Sequence, residues 1–401
     1  ALGVAHVLEG SVRKSGDQLR VSAQLVRVDD GFLLWSETYD RAVGEDLVTQ
    51  ADVSTRLARS LATELAPTAA GPGRSAPDAE AYESYLKGRY YWNKPGDTGL
   101  DQALEYFGEG LKVAPTFAAA HAATARGMVA RAEYYREVPR AALERARDAA
   151  LRALELDPDH GEAHLALADV RRMLELDWRG AESSYARAMA VNPSYDGVHR
   201  SYALMLSGFA RHAEAIQESE RARELDPFCL IVATSDAWMR HVAGDHDAAI
   251  ARCRHTIDLD PEYLGARRVL GAAYLQAGRP AAAVAALEAA MAVDGTDPVV
   301  LSWLAHAVAV SGGRAKAKDL IVRARALESA RYVPPFHLAL PATALGDFDE
   351  AFVLLDQAWL DRDPMLVSMA VDPRFEPLRG DSRYGELLER MNLTGLRVPT
   401  H

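Results

Sequence analysis

Residues 259–295 read LDPEYLGARRVLGAAYLQAGRPAAAVAALEAAMAVDG, and this stretch decides the fold. The step Asp260-Pro261 ends one helical pattern and opens the next. Further along, Ala283 is followed by Leu287 after four positions and by Ala290 after seven. This spacing places all three on one face of a helix, where small side chains let a second helix approach closely. The stretch therefore predicts two packed antiparallel helices.

The same unit recurs along the chain with a period of 34 or 35 residues. A proline follows an acidic or polar residue at four successive boundaries: Pro158, Pro193, Pro227 and Pro261. The same phase continues at Gly295, Ser329 and Pro364. A small residue occupies the equivalent helix position in each unit: Ala103, Ala146, Ala181, Ala215, Ala249, Ala283, Ala317 and Ala351. This period predicts an array of stacked helix pairs.

Local motifs agree with that phase. Leu270-Gly271-Ala272-Ala273-Tyr274 forms a Leu-Gly-x-x-Tyr step, and Gly244 and Gly346 each precede an acidic residue at the start of a helix. Glycine suits the left-handed residue that ends a helix, and an acidic side chain suits the positive start of the next. On these residues, segment 82–365 resembles the tetratricopeptide repeat family. The resemblance implies a mostly α fold, a right-handed superhelical solenoid of about eight helix pairs.

The sequence departs from the family pattern at three places. Pro115 lies 43 residues before Pro158, which predicts an insertion of about nine residues near 134–139. Proline is missing at Gly295 and Ser329, and the eighth unit is rich in proline. After Pro364 comes an amphipathic stretch over 384–391, and we assign 381–392 the role of a polar-faced cap on the last repeat.

Segment 1–66 follows a different pattern. Period-two alternation over 5–39 predicts three strands joined by turns, followed by a helix over 45–65. Three strands and one helix enclose little core, so we expect an incomplete α/β domain and a chain that begins inside it. Residues 7–13, 20–25 and 34–41 resemble the second half of a TolB-like domain. That resemblance implies a bacterial multidomain regulator whose output domain is commonly a class III nucleotide cyclase, a Ser/Thr protein kinase or a winged-helix DNA-binding domain.

These patterns predict four segments. They are a partial TolB-like segment over 1–66, a linker rich in proline and glycine over 67–81, the repeat array over 82–365, and a C-terminal capping segment over 366–401. The linker falls where period-two alternation ends and helical periodicity has not yet begun. We therefore expect a small α/β segment followed by a solenoid.

Composition restricts the partners. The formal net charge is −12 and no block of lysine or arginine occurs, which does not favour nucleic acid or an anionic membrane. Cys229 and Cys253 are the only cysteines, too few for a disulfide framework or a four-thiolate zinc site. Two thiols fit a reducing compartment, so we predict a cytoplasmic location unless a membrane segment precedes the chain.

Candidate metal ligands have simpler explanations. His160 and His164 flank Glu162 but straddle a repeat boundary, and a second group has no regular ligand spacing: His241, His246, Cys253 and His255. Three histidines recur at the same position of successive repeats: His121, His164 and His199. Neighbouring repeats are displaced by about 10 Å, so these three cannot share one metal, and a packing position explains them.

Motifs for catalysis are missing from the sequence. It holds no phosphate-binding Gly-x-x-x-x-Gly-Lys-Ser/Thr loop, no strand-coupled Gly-x-Gly-x-x-Gly, no Gly-x-Ser-x-Gly elbow and no His-Glu-x-x-His helix. We predict that this chain has no catalytic residue, no cofactor and no metal. Its partner is expected to be a protein or peptide, not a nucleic acid.

The first helices of a solenoid line its concave surface, and an extended peptide fits there. Counting in phase, the exposed positions on that wall are Trp92, Arg126, Arg172, Arg200, Trp238, His241, Arg268 and His306. Arginines and aromatic rings suit a peptide that carries carboxylates or apolar anchors. A clamp for a chaperone tail needs asparagines and lysines on this wall, and the three asparagines of the chain are not suitably placed.

Two functions of different classes fit this sequence. The chain is either an interaction module that recruits a partner and regulates an output domain on a longer polypeptide, or the C-terminal part of an enzyme whose catalytic domain lies elsewhere. That enzyme would be a class III adenylate or guanylate cyclase or a Ser/Thr protein kinase. A third alternative is an envelope-associated scaffold, which a signal peptide upstream would support.

Overall fold

The computed structural model describes residues 6–15, 18–27, 33–42, 78–92, 97–193, 195–227 and 229–393. By its internal contacts the chain divides into two compact units, 1–127 and 128–401. No helix in the described ranges is long and apolar enough to cross a bilayer.

The first unit begins with a three-stranded antiparallel sheet. Strands β1 (His6–Ser15), β2 (Gln18–Arg27) and β3 (Leu33–Ala42) follow one another in that order, as predicted. His6 pairs with Arg27 and Gln18 with Ala42, and the register shifts at Leu25/Val26. The helix predicted over 45–65 and most of the predicted linker lie outside the described residues.

Eight helix pairs follow within the residues that the structure describes, which confirms the predicted mostly α, solenoid-type fold. Their bounds are α1 (Ala79–Trp92) and α2 (Asp97–Val113); α3 (Ala118–Glu133) and α4 (Pro139–Leu156); α5 (Gly161–Val170) and α6 (Trp178–Val191); α7 (Asp196–Gly208) and α8 (His212–Leu225); α9 (Leu230–Val242) and α10 (His246–Leu259); α11 (Leu264–Gln276) and α12 (Pro280–Val293); α13 (Pro298–Val310) and α14 (Arg314–Arg325); α15 (Pro335–Leu345) and α16 (Phe348–Asp361). Helix α5 continues into a π-helical turn, Arg171–Glu175.

Small residues hold each pair together at the predicted positions. All eight alanines of the series that runs from Ala103 to Ala351 are fully buried. In the sixth pair, a Cβ on Gly271 would lie 2.6 Å from Cγ of Leu287, so only glycine lets α11 and α12 approach this closely. The periodic small residues therefore mark the face along which the two helices of each pair pack.

The turns inside the pairs repeat with the same period. Gly244, Gly278, Gly312 and Gly346 each lie one repeat period after the last and have φ values of 86°, 69°, 87° and 79°. Asp245 then accepts a hydrogen bond from the amide of Ala248 (3.1 Å) and caps α10. The predicted left-handed glycines at Gly244 and Gly346 are confirmed.

The periodic histidines also have a structural explanation. His121, His164 and His199 each place Nε2 within 2.8–3.1 Å of the carbonyl oxygen of the proline six residues earlier. Each ring therefore joins a helix to the boundary loop before it. Among the described residues, the ligand atoms of Asp196, Asp226 and Cys229 lie within 4.8 Å of one another. None of these three residues belongs to the sets of candidate metal ligands considered from the sequence.

The C-terminal segment, residues 364–393, continues the repeat phase in altered form. It consists of two 3-10 turns, Pro364–Ser368 and Pro373–Leu378, and a helix, α17 (Ser382–Arg390). The second turn lies in phase with α15, and α17 lies in phase with α16. Proline removes a helical hydrogen bond and clashes with the preceding turn. Pro364 and Pro373 begin their turns, where proline is tolerated, whereas Pro377 lies inside the second turn and disfavours an α-helix there.

This C-terminal segment packs against the first helices of the second unit. The ring centroids of Phe375 and Phe336 on α15 are 5.2 Å apart and T-shaped. A Cβ on Gly208, at the end of α7, would lie 2.4 Å from the carbonyl oxygen of Val367. Further along, the indole Nε1 of Trp178 donates to the carbonyl oxygen of Met391 (3.0 Å). The segment therefore covers a wall on which the sequence predicts partner binding.

Candidate partner-binding site

The structure places the eight predicted partner-binding residues on the first helices or their direct extensions, but not all at the surface. Five are buried: Arg126, Arg172, Trp238, His241 and His306. Three are half-buried: Trp92, Arg200 and Arg268. The expectation of exposure is wrong for the five buried residues, and a role in partner binding stays a prediction for all eight.

Arg374 of the C-terminal segment enters the wall between two indole rings. Its guanidinium carbon lies 4.0 Å from the ring centroid of Trp303 and 5.2 Å from that of Trp238. Asp372 accepts two parallel hydrogen bonds from the same guanidinium, Nε to Oδ1 (2.9 Å) and Nη2 to Oδ2 (2.7 Å). A forked ion pair stacked on indole is how proteins bind a buried arginine.

Three histidines complete this cluster: His241, His306 and His337. With Asp372, Arg374, Trp238 and Trp303 they form what we call the Arg374 site. Burial lowers the pKa of His241 to about 3 and that of His306 to about 4, and the charge of Arg374 acts in the same direction. Burial alone would raise the pKa of Asp372, but Arg374 outweighs it and holds that pKa below its ordinary value. The site therefore holds one ion pair among neutral rings.

A chain of hydrogen bonds connects the Arg374 site to the start of the second unit. The indole Nε1 of Trp303 donates to Nδ1 of His337 (3.0 Å), and Nε2 of His337 lies 3.1 Å from the hydroxyl of Tyr135. That hydroxyl donates to Oδ1 of Asp363 (2.9 Å). If neutral His337 carries its proton on Nε2, the N–H of Trp303, the N–H of His337 and the O–H of Tyr135 each have one acceptor in this chain. Burial raises the pKa of Asp363 to about 7.

A second group of predicted residues forms ion pairs between the helices of the array. Arg172 and Arg200 both donate through Nη2 to the carboxylate of Glu133, each at 3.3 Å. Arg172 also contacts Asp169 (3.3 Å), which accepts a hydrogen bond from the hydroxyl of Tyr185 (2.7 Å). These contacts connect three successive helix pairs.

The other three predicted residues take no part in the hydrogen bonds of these two groups, although the charge of Arg268 adds to burial in lowering the pKa of His337. Arg268 lies 4.0 Å from Asp297. In the first unit, Trp92 packs beside the buried Ala103 and Phe107, and Arg126 is buried on α3. The structure therefore brings together Trp238, His241 and His306 in one site, and Arg172 and Arg200 in another.

The sequence contained signals for the residues that were missed. Trp303 and His337 are separated by one repeat period and so occupy the same position in successive repeats. Asp372-Pro373-Arg374-Phe375 places an acidic residue, an arginine and an aromatic ring around a proline, within the segment that the sequence predicts to be a cap. Helix α17 does pack on α16, where Arg383 contacts Asp349 (2.8 Å). The 3-10 turn before that helix, Pro373–Leu378, instead contributes Arg374 to the Arg374 site.

Comparison with known proteins agrees with the helix-pair geometry. Residues 243–307, which run from the end of α9 into α13, match the family model described as Tetratricopeptide repeat. The match covers α10, α11, α12 and most of α13, and for these helices it supports an assignment as tetratricopeptide repeats. A solved structure of human IFIT1, a dimer with m7Gppp-AAAA, is similar to 86% of this chain and 78% of its own, with a TM-score of 0.54 and 15% identity. At that identity the likeness is one of fold.

Two further comparisons concern parts of the chain. A protein of Rhizobium meliloti (strain 1021) named "Putative adenylate cyclase 3" is 29% identical over 185 residues, which make up 44% of this chain and 30% of that protein. This chain thus spans less than a third of that relative. PilW, a type IV pilus biogenesis factor, is similar to 53% of this chain with a TM-score of 0.42 and 18% identity. The TolB-like resemblance of the first strands finds no support in these comparisons.

Proposed function

We propose that this tetratricopeptide array is a regulatory scaffold that binds a short segment of a partner polypeptide at the Arg374 site, as the sensory or docking half of a larger bacterial signalling protein in the cytoplasm. One observation carries the proposal. The array wall already binds residues 371–375, which lead into the 3-10 turn Pro373–Leu378, through a stacked arginine and a buried aromatic ring. These are the anchors that dominate peptide recognition in grooves.

The bound stretch indicates the chemistry of the partner. Its recognised features are an acidic residue, an arginine two positions later and an aromatic ring directly after the arginine, as in Asp372, Arg374 and Phe375. A partner with this pattern would compete with the C-terminal segment for the same wall. Because that segment is attached to the array, its effective concentration is in the millimolar range, so the array alone is the occupied form.

The test is a peptide-binding measurement. A fluorescent peptide with the sequence of residues 369–379, MAVDPRFEPLR, is titrated against the wild-type chain and against the double variant Arg374→Ala/Phe375→Ala. We expect the variant to bind at least about a hundredfold more tightly, because the attached competitor is weakened. A peptide with lysine in place of arginine is the control, since lysine lacks the planar fork that stacks and pairs.

Three outcomes would contradict the proposal: no binding by a folded variant, equal binding of the arginine and lysine peptides, or unchanged binding when Trp303→Leu is added. Circular dichroism shows whether the double variant is folded. If it is not, the single variant Arg374→Ala takes its place, because the apolar contact of Phe375 is then retained.

A second candidate function is the C-terminal part of a nucleotide cyclase or protein kinase whose catalytic domain is not in this chain. The relative named as a putative adenylate cyclase is compatible with it. The natural full-length polypeptide would be assayed for formation of cyclic AMP or GMP and for protein phosphorylation. Turnover by that polypeptide but not by residues 1–401 would support the candidate, and turnover by neither would exclude it.

A further inference from the structure

Three arginine side chains lie near the end of α16, away from the Arg374 site, and two of them stack on one indole ring. Arg362 directly follows α16, and its guanidinium carbon lies 4.6 Å from the ring centroid of Trp359. Arg390, the last residue of α17, lies 4.1 Å from the same centroid. Arg140, in the first turn of α4, donates from Nε to the carbonyl oxygen of Leu360 (2.6 Å). Helices α4, α16 and α17 therefore converge on Trp359, and we call Arg140, Arg362 and Arg390 the arginine triad.

Negative charge does not balance this triad. Among the described residues, the triad forms an ion pair through Arg390, whose Nη1 lies 2.5 Å from Oδ1 of Asp356. The carboxylate of Asp361 instead accepts hydrogen bonds from Tyr332 (2.7 Å) and Gln357 (2.8 Å). Partial burial lowers the pKa of Arg362, and the charges of the other two arginines lower it further. The triad is a local excess of positive charge in a chain whose formal charge is −12.

Helix capping explains part of this arrangement. Arg140 and Arg362 donate to the carbonyl oxygens of Leu360 and Trp359 in the last turn of α16, and the carbonyl of Trp359 also accepts the backbone amide of Arg362 (3.3 Å). Each of these bonds uses one of the five N–H donors of a guanidinium. Nε of Arg362 and Nε1 of Trp359 are buried and have no hydrogen-bond partner among the described residues. Capping therefore leaves most donors of the triad unused.

We propose that the arginine triad is a binding site for a phosphate group. A phosphate carries up to two negative charges and several acceptor oxygens, so it can receive forked hydrogen bonds from all three guanidinium groups. A carboxylate offers one charge and two oxygens and would satisfy fewer donors. The bound anion would join α4 to α16 and α17. The proposal is independent of the function proposed for the Arg374 site.

The experiment measures binding of inorganic phosphate and of phenyl phosphate by calorimetry at low ionic strength. We expect saturable binding that weakens about tenfold or more in Arg362→Gln and in Arg140→Gln, since each removes a charge-assisted contact. Tighter binding of phenyl phosphate would assign the site to a phosphate ester, and tighter binding of inorganic phosphate would assign it to the free ion. Acetate is the carboxylate control and is expected to bind at least about tenfold more weakly.

A matched control lies on the same helix. Arg383 on α17 also stacks on an aromatic ring, Phe352 (4.2 Å), but carboxylates of Asp381 and Asp349 pair with it. Arg383→Gln is therefore expected to leave phosphate binding unchanged. Equal weakening by the control variant, equal binding of acetate, or no saturation by phosphate would overturn the proposal. If Arg140→Gln unfolds, Arg362→Lys retains the charge, removes the fork, and is expected to give an intermediate affinity.

Discussion

Two copies of one Asp-x-Arg-aromatic motif, placed close together in the C-terminal segment, differ in their surroundings. Asp372-Pro373-Arg374-Phe375 and Asp381-Ser382-Arg383-Tyr384 have the same local geometry. In each, the aspartate accepts a hydrogen bond from the arginine amide (3.0 Å in both) and a forked pair from its guanidinium. Each arginine also stacks on a ring, at 4.0 Å in the first copy and 4.2 Å in the second.

Burial separates the two copies. The side chain of Arg374 is 1% exposed and that of Arg383 is 41% exposed. The local sequence therefore determines the shape of the motif, whereas the array determines how much the ion pair contributes. A buried pair is sensitive to loss of one partner, and an exposed pair is screened by water.

The largest expected effect is the loss of Asp372. Asp372→Ala leaves Arg374 charged and buried without its carboxylate, and the free energy of unfolding should fall by about 3–5 kcal/mol. Urea denaturation at neutral pH measures it. Asp381→Ala, the matched change in the exposed copy, should have a much smaller effect. Equal losses in the two variants would show that burial does not distinguish the copies.

The helices could be predicted from the sequence, but the Arg374 site could not. Ala283 and Leu287 repeat because each pair buries the same contact line, so local spacing reports them. Arg374 meets Trp238, which lies several repeats earlier in the chain, only after those repeats have stacked, and no local pattern encodes that contact. The amphipathic stretch over 384–391 predicts a cap over 381–392, whereas the altered first helix before it depends on Pro377 inside the 3-10 turn Pro373–Leu378.

Acid should lower the stability of the Arg374 site, which surrounds the buried copy, through the histidines of that site. The folded pKa values of His241 (about 3) and His306 (about 4) lie below the ordinary value of 6.5, so the unfolded chain binds more protons as pH falls below about 6.5. The stability that neutral His306 contributes is present above that pH and is lost towards pH 4, by up to about 3 kcal/mol. Unfolding free energies between pH 8 and pH 4 measure the loss.

Asp363 acts in the opposite direction in the same pH window. Its pKa is raised from 3.8 to about 7, so the folded chain binds more protons than the unfolded chain between these values. Asp363→Asn should therefore steepen the loss of stability in acid, and His306→Gln should flatten it. If the two variants leave the slope unchanged, these groups do not titrate as the structure indicates.

Hydrogen exchange compares the same amide in both copies. The N–H groups of Arg374 and Arg383 both donate to an aspartate at 3.0 Å, so direct hydrogen bonding does not distinguish them. Exposure of the Arg374 amide requires the segment to leave the wall, whereas the Arg383 amide lies in the first turn of a surface helix. We expect exchange of Arg374 to be slower by at least about thirtyfold. Similar rates would mean that the C-terminal segment detaches readily.

The smallest effect is expected from charge removal in the exposed copy. Arg383→Gln retains a polar side chain over Phe352 and removes two solvent-exposed ion pairs, so stability should change little at physiological ionic strength. Salt screens the ion pairs of Arg383 in the wild-type chain, so the difference in stability between wild type and variant should shrink further between about 0.05 and 0.5 M salt. Thermal unfolding across that range is the measurement. A large loss that persists at high salt would mean that the ring contact, and not the charge, holds α17 on the array, and the exposed copy would then resemble the buried one.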